Sequence, residues 1–88
     1  MVNRASRLEK TVHSHEQATF RALIIATRKK SGLTQSALAR RLKKPQSFIA
    51  KYEGGERRLD ILELIAVTRA MDVDPVQFFK NLVREINS

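Results

Sequence analysis

The side chains best placed to act on another molecule are the lysines and arginines between Arg28 and Arg58. Ten Lys and Arg stand there against two Glu, and this stretch carries the whole net charge of +8 of the 88-residue chain. Charge kept only for solubility has no reason to concentrate, so the segment points to a polyanionic partner, with nucleic acid the leading class. Within it, KKPQSFIAKYEGGERR (residues 43–58) interleaves cations with Phe48, Ile49, Ala50 and Tyr52. That alternation argues against a membrane-surface helix, which would show one broad apolar stripe. Catalytic chemistry is poorly supplied. Cysteine is absent, and His13 and His15, two residues apart, do not share a helix face. No nucleophile–base pair or ligand cluster is recognisable, so no enzymatic activity, cofactor or metal is expected.

Positioning these residues falls to one small domain with a single core, since the length leaves little area to spare and no disulfide can staple it. No apolar run is long enough to span a bilayer, and the start MVNRASRLEK lacks the apolar middle of a signal peptide. A cytoplasmic, nucleoid-associated location is the expectation.

The periodicity predicts an all-α fold of five helices over residues 16–88, preceded by an N-terminal arm over residues 1–15. Helix one runs from about Glu16 to Lys30, with Phe20, Ile24 and Thr27 on one face and Gly32 beyond its end. Thr34 reads as the N-cap of a short helix to Leu42, with Leu33 and Leu38 as a hydrophobic staple. A third helix spans about Pro45 to Glu53, with Ile49 and Tyr52 facing inward and Gly54 and Gly55 ending it. Asp60 caps a fourth helix to about Met71, where Glu63 completes a capping box and Leu59 staples to Leu64. Asp74 caps a fifth, with Pro75 at N1, Gln77 at N3 and Val73 stapling to Phe78. The second and third helices, joined by a few residues, form a helix-turn-helix pattern. In that arrangement the second member lies in the DNA major groove and presents its N-terminal side chains to base edges.

The run LTQSALARRLKKPQSFIAKYEGGERRLDILELI resembles the Xre-type, lambda-repressor-like helix-turn-helix family, over about residues 20–79. The resemblance implies a five-helix domain that binds double-stranded DNA and regulates transcription, most often as a repressor. It places contacts at the starts of the second and third helices and in the loop after the third, which in this chain are Thr34, Gln35, Lys44, Gln46, Ser47, Phe48, Lys51, Arg57 and Arg58. Gln35 would meet the phosphate backbone or a neighbouring base. Gln46 is the leading base reader, because a carboxamide pairs with adenine N6 and N7 through two hydrogen bonds. Ser47 would reach a base or a phosphate, or tie down the helix start. Phe48 would touch a thymine methyl or fold back onto the domain. Lys51, one turn beyond Ser47, would reach a phosphate or a guanine, Arg57 and Arg58 resemble a phosphate clamp, and Lys43 and Lys44 flank the turn. Arg28 and Glu53 occupy positions where the family commonly forms a structural ion pair. Two departures stand out: Lys43 and Asp72 occupy turn positions where the family usually has glycine.

The fifth helix offers Val76, Phe78, Phe79, Leu82, Val83 and Ile86, more apolar bulk than one short helix over a small core needs, so a homodimer seam is expected there. Two recognition helices one DNA turn apart would then read a near-palindromic operator. The alternative is an antitoxin or restriction-modification controller, with a protein partner such as a toxin and autoregulatory DNA binding. For residues 1–14, with Arg4, Arg7 and Lys10 at i, i+3 spacing, an arm on phosphates, an added helix and a solvated tail are all open.

Overall fold

The computed structural model describes residues 15–88, so the arm, apart from His15, lies outside the described residues, as does His13. The described residues form α1 (His15–Lys30), α2 (Gln35–Leu42), α3 (Gln46–Glu53), α4 (Ile61–Ala70) and α5 (Pro75–Asn87), with no strand among them. The fold is the all-α, lambda-repressor-like arrangement that the sequence implies. Its boundaries agree with the expected ones to within a residue. Pro45, placed inside the third helix, is its extended N-cap (φ −66°, ψ 152°).

The helix starts follow from short polar side chains at the right spacing. Thr34 accepts the Ala37 N–H at 3.0 Å. Asp60 accepts the Glu63 N–H at 2.7 Å while the Glu63 carboxylate accepts the Asp60 N–H at 2.9 Å, completing the box. At α5 the cap takes a different form. Asp74 reaches the nearer Val76 N–H at 3.1 Å, and Gln77 turns forward to donate to Asn81 at 3.1 Å rather than back to its cap.

Four helix ends share one closing device, in which a residue just past the helix turns left-handed and its own N–H and that of the following residue satisfy the last carbonyls. After α1 it is Gly32 (φ 77°), with Gly32 N–H on Lys29 O and Leu33 N–H on Arg28 O. After α2 it is Lys43 (φ 55°), with Lys43 N–H on Arg40 O and Lys44 N–H on Ala39 O. After α3 it is Gly55 (φ 85°), with Gly55 N–H on Tyr52 O and Glu56 N–H on Lys51 O. After α4 it is Asp72 (φ 60°), with Asp72 N–H on Arg69 O and Val73 N–H on Thr68 O. Lys43 and Asp72 are the two positions where glycine was missing, and both keep the left-handed backbone. For a side chain with a Cβ that conformation costs roughly 1–2 kcal/mol. Asp72 offsets part of this by accepting a 3.1 Å bond from Arg41, whereas the Lys43 side chain is exposed. Lys43→Gly is therefore expected to raise stability by up to about 1 kcal/mol, the relief being partly offset by greater freedom of the unfolded chain. Thermal unfolding checks this, and a lowered Tm would refute it.

The core comprises Ile24 of α1, Leu38 and Ala39 of α2, Ile49 and Tyr52 of α3, Val67 of α4, Met71, and Phe78 of α5. Phe20 meets Phe78 edge-on, with ring centroids 6.3 Å apart. This corrects one expectation: Phe78, assigned to an outer seam, is 1% exposed. It projects back over α1 because α5 packs on α1 as well as on α4. Around this core α2 packs on α3 and α4, and α1 on α3, which fixes α3 with its inner face sealed and its N-terminus at the surface.

Candidate nucleic-acid interface

Ile49 and Tyr52, three residues apart, are 0% and 1% exposed and hold α3 to the core. The opposite face, with Gln46, Ser47 and Lys51, is exposed, as are Lys43, Lys44, Thr34 and Arg58 around it. The Thr34 hydroxyl is committed as acceptor to the Ala37 N–H.

Behind the exposed face runs a chain of hydrogen bonds. Arg28 donates through Nε to Glu53 Oε2 at 2.8 Å and through Nη2 to Oε1 at 3.1 Å, with both side chains at least nine-tenths buried. The third guanidinium contact, Nη1 to Leu33 O at 2.9 Å, ties the pair to the turn before α2. The Glu53 hydrogen bond is also what holds Arg28 above its ordinary pKa, against the opposing effect of burial. Glu53 Oε1 further accepts Gln35 Nε2 at 2.9 Å, and Gln35 Oε1 accepts Gln46 Nε2 at 2.7 Å. The expected ion pair is present, but Gln35, expected at the phosphate backbone or a neighbouring base, bridges that pair to the Gln46 amide. Because one N–H of Gln46 is taken, its Oε1 and second N–H are left available on this exposed residue. An acceptor beside a donor is the pattern that complements adenine N6 and N7.

Phe48 folds back. It is half-buried, its ring 5.6 Å from that of Tyr52 at 75°, with the Arg57 guanidinium 4.7 Å and the Lys44 ammonium 5.6 Å from its centroid. Arg57 is also paired with Glu63, at 2.7 and 3.0 Å. That pairing escaped the sequence reading, where Glu63 served only as a capping residue. Its one visible signal was an acid six residues after an arginine across a loop. First Arg57 and then the Asp60 N–H hold the Glu63 carboxyl down, at about 2. Of the expected cationic field, Arg28 and Arg57 are thus internally neutralised, and Arg41 turns to Asp72 and Ala70 O. Lys29, Lys30, Arg40, Lys43, Lys44 and Lys51 make no ion pair among the described residues and remain to attract an anion.

At Gly55 (φ 85°) the Arg21 guanidinium lies close enough that an added Cβ would sit 3.4 Å from it, so α1 packs a further cation against the loop after α3.

This geometry, a short helix with a sealed inner face and a polar, cation-rimmed outer one set against its partner helix, is matched by a family model described as helix-turn-helix over residues 24–78. The chain belongs to the XRE-type helix-turn-helix family. Two solved structures resemble it over nearly their whole length. An XRE-family like protein from Pseudomonas syringae pv. tomato str. DC3000 is 34% identical, covering 94% of this chain and 96% of that one, with a TM-score of 0.76. The wild-type restriction-modification controller protein C.Esp1396I is 28% identical, covering 85% of this chain and 99% of that one, also with a TM-score of 0.76. No curated protein matches significantly. Family and neighbours together identify a DNA-binding transcriptional regulator. No helix among the described residues is long and apolar enough to cross a membrane.

Proposed function

We propose that the protein is a sequence-specific repressor that binds a near-palindromic operator as a homodimer. The observation that carries the reading is the Gln46 amide at the start of α3, its orientation set by Gln35, Glu53 and Arg28. A base-reading group that is already oriented loses less freedom on binding. Ser47 extends the reading face, and Lys43, Lys44, Lys51 and Arg58 provide sequence-independent phosphate contacts. Site selection from random double-stranded DNA tests the reading. The wild-type chain is expected to enrich a near-palindrome, and Gln46→Ala to lose preference at one base step in each half-site, worth roughly 1–3 kcal/mol per step. Failure to enrich any motif, or equal weakening on every sequence, would count against it.

The dimer reading rests on an apolar surface. Val76, Phe79 and Val83 of α5 are 62%, 53% and 41% exposed, and Ile61 and Leu62 at the start of α4, not anticipated, are 61% and 73% exposed. A groove of about 200 Å³ lies among Ile61, Leu64, Ile65, Pro75, Val76 and Phe79. Leu82 and Ile86 are half-buried and line a neighbouring groove with Phe20 and Leu59. A second copy of α5 would cover this surface. Phe79→Asp is expected to convert dimer to monomer by sedimentation velocity while the helical circular dichroism is kept. An unchanged sedimentation coefficient would move the seam elsewhere.

Likeness to C.Esp1396I supports a second reading, a restriction-modification controller acting through the same dimeric DNA contact. Binding to DNA upstream of its own gene and of an adjacent endonuclease gene would distinguish it.

A further inference from the structure

Arg57 lies in the loop between α3 and α4, where a phosphate clamp was expected, yet its guanidinium is already engaged. Nη1 donates to Glu63 Oε1 at 3.0 Å and to Arg58 O at 2.9 Å, and Nη2 donates to Glu63 Oε2 at 2.7 Å. Its Cζ stands over the Phe48 ring, 4.7 Å from the centroid, and Phe48 rests edge-on against buried Tyr52. On the far side, Glu63 exchanges hydrogen bonds with Asp60, the N-cap of α4. An unbroken series of contacts thus runs from the core through α3 and the loop to the first turn of α4. A phosphate seeking the same fork would have to displace a carboxylate that neutralises it.

We propose that Arg57, Glu63 and Phe48 form a brace that holds the recognition helix against α4, and that Arg57 is a positioning residue rather than a phosphate contact. The chemistry demands arginine, since a planar guanidinium can grip a carboxylate with two parallel bonds and pack over an aromatic ring at once. The brace ends beside Ile61 and Leu62, so it ties the reading helix to the apolar surface assigned to the dimer. A loose brace would leave α3 to be ordered at the moment of binding and so would lower affinity without changing the count of phosphates neutralised.

The inference rests on the DNA-binding reading but can fail separately from it. The probe is a duplex enriched by selection from random DNA, titrated by fluorescence anisotropy with the full chain at several salt concentrations. Glu63→Gln, which removes a negative charge near the DNA face, is expected to weaken binding by about three- to thirty-fold, the range that loss of a stacked, half-buried ion pair allows. Arg57→Ala is expected to weaken it similarly, the double variant no further, and Arg57→Lys not to restore it, all with the wild-type salt slope. If Arg57 instead held a phosphate, Glu63→Gln would tighten binding, Arg57→Ala would flatten the log–log salt slope by about 0.9 per protomer, and Lys would substitute well. Those results overturn the proposal. A second measurement needs no DNA. In the free protein the Arg57 δ-methylene protons are expected upfield from the Phe48 ring current, and Glu63→Gln should abolish that shift; unshifted protons in the wild type would refute the brace even if DNA binding is intact. Absence of any enriched duplex, with the ring shift present, would defeat the DNA-binding reading and leave the brace standing.

Discussion

Raising the salt from about 50 to about 200 mM is expected to weaken binding to an enriched duplex by about four orders of magnitude, with a log–log slope near −7. With Arg57 assigned to the brace, the proposed reading leaves Lys43, Lys44, Lys51 and Arg58 to contact phosphate in each protomer, and a dimer would double them. Each neutralised phosphate releases condensed counterion and contributes roughly −0.9 to the slope. Lys43, Lys44 and Lys51 make no ion pair among the described residues, and all four cations are exposed, so little desolvation opposes their use. Fluorescence anisotropy across that salt range measures the slope directly. A value near −3.5 would indicate that one protomer binds alone, and a value near zero would mean that the cationic surface is not the contact. Substituting Arg58 by Ala should flatten the slope by about one per protomer and leave base preference intact, the converse of Gln46→Ala.

The largest loss of stability is expected from Arg28→Met. It strands the Glu53 carboxylate, whose side chain is 5% exposed, with Gln35 as its sole remaining side-chain partner among the described residues. Breaking a buried pair from one side costs about 3–5 kcal/mol, a large share of the roughly 5–15 kcal/mol available to a domain of this kind. The fall in Tm should be at least about 12 °C. Replacing both partners, as Arg28→Met with Glu53→Leu, should recover most of that loss, because no charge is then left without a counterion. Function should not recover with it. Without Glu53 the Gln35 amide loses its acceptor, nothing orients Gln46, and preference at its base step should relax while the fold holds. Urea unfolding and site selection on the single and double variants separate the two effects. A loss below about 1 kcal/mol for Arg28→Met would mean that the pair is open to water in solution.

Both expectations depend on contacts with different degrees of visibility in the primary structure. Arg28 and Glu53 were legible only through the family pattern, since 25 residues separate them and no local rule joins them. The bridge from Glu53 through Gln35 to Gln46 was not legible at all, because it requires the α2–α3 crossing to bring two carboxamides to 2.7 Å. Phe48 was left with two roles by sequence. Packing decided between them, since the buried Tyr52 ring and the Arg57 guanidinium offer it contact on the domain's own surface.

Local chemistry determined where helices start and stop. A cap such as Thr34 on Ala37, the box of Asp60 with Glu63, and the left-handed turn at Gly32 each close within five residues, so the residue types at that spacing suffice, whereas the turns at Lys43 and Asp72 were visible only through the family pattern. The sum of charge between Arg28 and Arg58 was equally plain. Tertiary structure decided which of those charges remain to be used, because a guanidinium grips whichever carboxylate the fold carries to it, and Arg28 and Arg57 both found one. It also decided that Phe78 turns inward and that Ile61 and Leu62 turn outward. On an amphipathic helix the apolar stripe is wider than any one neighbour, and only the angle at which helices cross selects the part that is covered.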